Sequence, residues 1–177
     1  GLTGTDTGFD KLNTFTGGWQ YTDLIIIGAE SSQGKTSIAL DFVNSAAFQE
    51  EPCAIYSMEM GLRQLAARLI SKNTGIKSKN ILFSRLMDEE LQKLNERITQ
   101  ISGHKIFIDE NAKNNINSIC SSIRILKLKY DIKFVVVDYL QMLESTDKRH
   151  NDEKTMGDAV KKLKAIALEL NITVFAL

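Results

Sequence analysis

Three short stretches carry side chains that together could handle a chain of phosphates: AESSQGKTS (29–37), YSMEM (56–60) and FVVVD (134–138). The first ends in Gly34-Lys35-Thr36, which closes the phosphate-binding pattern G-x-x-x-x-G-K-[ST]. Counting back, the pattern's first glycine falls on Ala29, with Gly28 one residue early. That first glycine only turns the chain out of a strand, a task alanine performs if its φ stays negative. The candidate cradle is therefore Ala29, Glu30, Ser31, Ser32, Gln33, Gly34, Lys35, Thr36 and Ser37. In it Lys35 would reach the β and γ phosphates, and the Thr36 hydroxyl would ligate Mg²⁺. The competing view is a chance Gly-Lys-Thr in a loop. It is weakened by LIIIG (24–28), a strand-like run just before, and TSIALDFVNSAA (36–47), a helical stretch just after.

Phosphoryl transfer also needs a cation bridging the β and γ oxygens, with a carboxylate behind it. Asp138 follows four apolar residues and fits that role, although a strand-ending acid alone more often caps a loop. A third carboxylate, Glu59 in YSMEM, is placed to polarise an attacking water if its strand ends at the same sheet edge. Taken alone, Glu59 reads as a solvated strand-end acid, and Met58 and Met60 as core filler.

Apolar runs and helical patterns alternate along the chain and would have to position these groups. The runs are LIIIG (24–28), CAIYSM (53–58), KIFID (105–109), FVVVD (134–138) and ITVFAL (172–177). Between them lie five patterns at helical spacing. Ile38, Phe42 and Val43 share a face in one, and Leu62, Leu65, Ala66, Leu69 and Ile70 in the next. After a polar passage through Ser84, Asp88 opens a helix striped by Leu91, Leu94, Ile98 and Ile101. Ile116, Ile119, Ile123, Leu126 and Tyr130 mark another, and Val160, Leu163, Ile166, Ala167 and Leu170 the last. Five runs separated by helices predict an α/β fold with a largely parallel sheet, and unbroken apolar runs fit strands covered on both faces by helices. Pro52 stands just before a strand, where it does least harm.

Composition narrows the classes. The chain has 177 residues, enough for one domain, with Lys plus Arg equal to Asp plus Glu at 22 each. A neutral chain cannot grip duplex by bulk charge, so any nucleic-acid contact must be local or shared among subunits. No apolar run reaches the length a bilayer demands, and the first residues lack a signal-peptide pattern. Cys53 and Cys120 form no metal-type cluster and read as small buried side chains, and His104 and His150 make no ligand pair.

In this order the pieces resemble the motor domain of the DnaB-type replicative DNA helicases, a RecA-like P-loop ATPase. The resemblance runs from GLTGTDTGFDKLNTFTGGWQYTDLIIIGA through AESSQGKTS, YSMEM and VVVDYLQML to AIALELNITVFAL, nearly all of the chain. It implies ATP and Mg²⁺ as nucleotide and cofactor, Glu59 as catalytic base, Lys35 on the phosphates, and Thr36 with Asp138 on the metal. It also implies the strand order 3-2-4-5-1, which would set Glu59 and Asp138 on neighbouring strands. In that family the phosphate loop commonly begins with alanine. The implied setting is a homo-hexameric ring in the cytoplasm, working on single-stranded DNA with a primase or helicase loader, and with no membrane.

The sequence stops before the family's Ser-Gln sensor, DNA-binding loops and arginine finger. Residues 1–177 are thus expected to be a RecA-like ATPase domain truncated at its C-terminal side and lacking the N-terminal helicase domain. LIIIG would then be an apolar edge that further chain should cover. Slow hydrolysis is expected of the chain alone, because a trans arginine is worth roughly 10³–10⁵ in rate. The polar segment 144–155, with Lys148, Arg149 and His150, is a candidate for facing DNA, or else a solvated loop, since acids are interspersed. Two other functions stay open. One is a recombinase or circadian-clock-type RecA relative; the other is a nucleotide-dependent assembly module without turnover.

Overall fold

A computed structural model of the chain describes residues 1–30, 34–110, 115–138, 140 and 152–177. The apolar runs become five strands: β1 (Leu24–Ile26), β2 (Cys53–Ser57), β3 (Ile106–Asp109), β4 (Phe134–Asp138) and β5 (Thr173–Ala176). They form one sheet in the order β1-β5-β4-β2-β3, with every pairing parallel. This is the expected order, read from the opposite edge.

Along the central strands, side chains alternate between two apolar layers, as the period of a strand requires. Val135 and Val137 of β4, Val174 and Ala176 of β5, and Ala54 and Tyr56 of β2 face one layer. Phe134, Val136, Phe175, Cys53 and Ile55 face the other. The helices α6 (Ile116–Tyr130) and α7 (Asp152–Leu170) cover the first layer, while α2 (Lys35–Phe48) and α3 (Leu62–Thr74) cover the second. Both cysteines are buried, as expected.

The edge strands differ from the centre. β3 is only half-buried along its length, and Ile26 of β1 is 55% exposed. Both edge strands still reach the two layers, Leu24 and Phe107 on one face and Ile25, Ile106 and Ile108 on the other, but only in part, because an edge strand has a neighbour on one side only. Three short or peripheral helices also depart from expectation. A seven-residue α1 (Asp10–Thr16) and a five-residue α4 (Ser78–Leu82) occupy stretches in which no helix was foreseen. The helix α5 (Asp88–Ile101) begins where Asp88 predicted, yet none of its residues is buried. It leans on α3 instead of the sheet, so its Leu91 and Ile98 stay exposed.

The N-terminal stretch is tied across the sheet's β1–β5 end. Thr5 and Trp19 form an antiparallel bridge, and Glu51 accepts hydrogen bonds from Thr5 Oγ1 at 2.8 Å and Tyr21 Oη at 2.9 Å. Trp19 enters the second layer edge-on to Phe42 and Phe175, at 5.0 and 4.9 Å between ring centres.

Candidate functional site

The candidate groups gather at the C-terminal edge of the sheet, where parallel α/β folds place their ligands. β1 delivers the chain to this edge, and α2 leaves it. Ala29 has no positive φ, so the alanine turns out of the strand as a glycine would. Gly34 has φ of 85° and ψ of 21°, a left-handed conformation that favours glycine there. It is the N-cap of α2, and its carbonyl accepts the first helical bond, from the Ile38 N–H at 3.0 Å. Lys35, Thr36 and Ser37 form the first turn, so their N–H groups point toward the end of the helix where an anion is favoured. Ser31, Ser32 and Gln33 lie outside the described residues.

Thr36 and Asp138 meet directly. The hydroxyl of Thr36 donates to Asp138 Oδ2 at 2.8 Å, joining α2 to the end of β4. Only β5 separates β1 from β4, and at this level it presents Ala176, in register with Ile26 on one side and Val137 on the other. Asp138 is 4% exposed. Burial pushes its carboxyl above the ordinary carboxylate range, and the Thr36 hydrogen bond pulls it back. The Glu59 carboxylate adds to the upward push, while the charges of Lys35 and Arg68 oppose it. Loop, buried acid and outer acid thus share one electrostatic neighbourhood.

Glu59 lies two residues beyond the last residue of β2, whereas the sequence placed it on the strand. The reason is a turn that starts at Ser57, whose Oγ accepts the Met60 N–H at 3.0 Å. The register pairs Ser57 with Asp138, and the Met58 N–H donates to the Asp138 carbonyl at 2.8 Å. Glu59 is therefore exposed, just past Asp138 on the adjacent strand.

Two groups at this edge carry no motif and escaped the sequence reading. Glu110, one residue past β3, accepts the Leu62 N–H at 2.7 Å and so satisfies the N-terminus of α3. Arg68 is the second of two arginines on α3, after Arg63. Its one legible signal is its position two helical turns after YSMEM. Of the segment 144–155, Lys148, Arg149 and His150 lie outside the described residues, while α7 already begins at Asp152.

The oxygen donors of Thr36 and Asp138 suit a hard cation. Among the described residues no three His, Cys, Asp or Glu side chains gather as a metal cage. A hydroxyl and one carboxylate are the sparse protein set that magnesium takes when phosphates supply other ligands. No helix among the described residues is long and apolar enough to cross a membrane.

Comparison with known proteins bears on the fold and the family. The replicative DNA helicase DnaC of Bacillus subtilis (strain 168) is 33% identical over 178 residues. The match covers 99% of the chain but only 39% of that relative's length. A solved structure described as an ATPase domain superposes with a TM-score of 0.91 at 30% identity, covering 99% of this chain and 63% of that one. A DnaB-like replicative helicase, described together with its interactions with primase, gives the same TM-score and identity over 43% of its chain. The family model described as "DnaB-like helicase C terminal domain" matches residues 4–177, and the chain belongs to that family.

Proposed function

We propose that the chain is the ATP-binding and hydrolysing motor domain of a ring-shaped replicative DNA helicase, with residues 1–177 acting as one RecA-like ATPase unit. The observation that carries this is the 2.8 Å contact between Thr36 and Asp138, made where a Gly-Lys-Thr loop opens a helix beside a buried acid. Amides of Ala29 through Ser37 cradle the phosphates of ATP, and the Lys35 ammonium neutralises their outer charge. Thr36 and Asp138 hold Mg²⁺, which when bound spreads the charge that develops on the transferred phosphoryl group. Glu59, exposed at the adjacent strand end, accepts a hydrogen bond from the attacking water and orients it for in-line attack.

The family relationship supports a setting beyond the domain: a homo-hexameric ring in the cytoplasm, threaded by single-stranded DNA, with a primase or a loader as partner. Glu59→Gln tests the catalytic reading, measured as ATP hydrolysis with and without single-stranded DNA alongside ATP binding. The variant should lose about 10²–10⁴ in turnover while binding ATP as before. Equal hydrolysis by both forms would remove Glu59 from the mechanism. Because residues 1–177 alone are expected to turn over slowly, binding without turnover would point to an assembly module only if it persists in a longer chain that supplies a trans arginine.

A further inference from the structure

The site as described has two carboxylates, Asp138 and Glu59, against one lysine, Lys35. A nucleoside triphosphate brings further negative charge, so the arrangement is short of cations even with a divalent ion present. The structure offers a second cation from α3. Lys72 on this helix donates to Ser37 Oγ at 3.0 Å and pairs with Asp41 Oδ1 at 2.7 Å, which fixes the face that α3 turns toward α2. Arg68 precedes Lys72 by four residues and therefore lies on the same face, about 6 Å nearer the helix N-terminus.

Both α2 and α3 start at the C-terminal edge of the sheet. Moving one turn back from the Ser37–Asp41 level therefore leads to Gly34 and Lys35, at the mouth of the loop. Helical side chains also lean toward their own N-terminus, which carries the guanidinium further in that direction. Arg68 is exposed, and the hydrophobic contacts of this part of the helix are made by Leu65 and Leu69 instead. It forms no ion pair with any described carboxylate, although its charge is felt at Asp138.

We propose that Arg68 is a second phosphate-binding cation of this site. Its guanidinium contacts the terminal phosphate of a bound nucleoside triphosphate and sets the preference for triphosphate over diphosphate. The proposal rests on the nucleotide reading above. It differs from a role in holding Glu59, which would change turnover and leave binding alone.

The test is a set of dissociation constants for the 177-residue chain. Two probes are used, a non-hydrolysable ATP analogue with Mg²⁺ and ADP with Mg²⁺. Arg68→Ala should weaken the triphosphate analogue about tenfold while ADP stays within about twofold. Arg68→Lys should fall between, since a point charge replaces a fork that can grip two oxygens. Equal losses for both probes, or no change in either, would overturn the proposal. If Arg68→Ala fails to fold, the Arg68→Lys ratio decides, read beside an unchanged melting temperature. Failure of the unaltered chain to bind either probe would instead remove the nucleotide reading, and this proposal with it.

Discussion

Thr36 and Asp138 lie 102 residues apart in sequence yet share a hydrogen bond, and neither side chain would be chosen there for stability alone. A carboxylate as buried as Asp138 disfavours its own charge, and a neutral amide of the same shape would still accept from Thr36. Asp138→Asn should therefore leave the fold intact, with stability without nucleotide unchanged or raised by up to about 1 kcal/mol. The same substitution should sharply weaken Mg²⁺-dependent nucleotide binding. Thermal unfolding without ligand, set beside nucleotide titrations with and without Mg²⁺, checks both halves. A large loss of stability would make Asp138 a structural residue and sink its metal role. Cys53 is the opposite case. Burial raises its thiol far above the ordinary value, so it stays an inert apolar side chain, as its isolation in the sequence suggested.

Among the elements, what could be read in advance tracks how many neighbours an element has. β2, β4 and β5 are enclosed on both faces, so their unbroken apolar runs were unambiguous. The strand order was a different matter, since hydrophobic spacing carries no information on which parallel strands adjoin, and it came from the family resemblance. The stripe on α5 correctly announced a helix but not its burial, because periodicity cannot reveal whether a face finds a partner. α1 and α4 are too short to show a period. Glu59 fell beyond its strand because the Ser57 hydroxyl ends β2 with a turn, a local bond that a run of hydrophobic residues does not disclose. Arg68 stayed hidden for a similar reason, since its place is set by how α3 packs on α2.

The ends of the elements also make measurable contributions. Asn115 accepts from the N–H groups of Asn117 and Ser118 at 2.9 and 3.3 Å, capping α6. Asn115→Ala should cost about 1 kcal/mol in denaturant unfolding, with the slope unchanged. Further along α6, Ser122 Oγ donates to Asp109 Oδ2 at 2.6 Å and lies 2.9 Å from the buried Tyr56 hydroxyl. Ser122→Val would strand that hydroxyl and lower stability by about 1–3 kcal/mol. No loss in that variant would mean that water replaces the contact.

At the scale of the whole molecule, the N-terminal ribbon is fastened by backbone as much as by side chains. Gly18 has φ of +92°, and a Cβ added there would sit 2.6 Å from the Thr5 carbonyl oxygen. Gly18→Ala should therefore destabilise the chain by about 2 kcal/mol or more, seen as a lower melting temperature. An unchanged melting temperature would show that the ribbon detaches at little cost. The ribbon also carries the chain's single tryptophan. Trp19 is 7% exposed, and its indole N–H finds no acceptor among the described residues. Ringed by Phe42 of α2 and Phe175 of β5, the indole is cut off from water, so its native emission should be blue-shifted and should move to the red on unfolding. One fluorescence reading thus follows the seam between ribbon, phosphate-loop helix and central sheet. If that seam melts with the rest, the emission and far-ultraviolet ellipticity curves will coincide. An earlier red shift would mark the ribbon as the first part to let go.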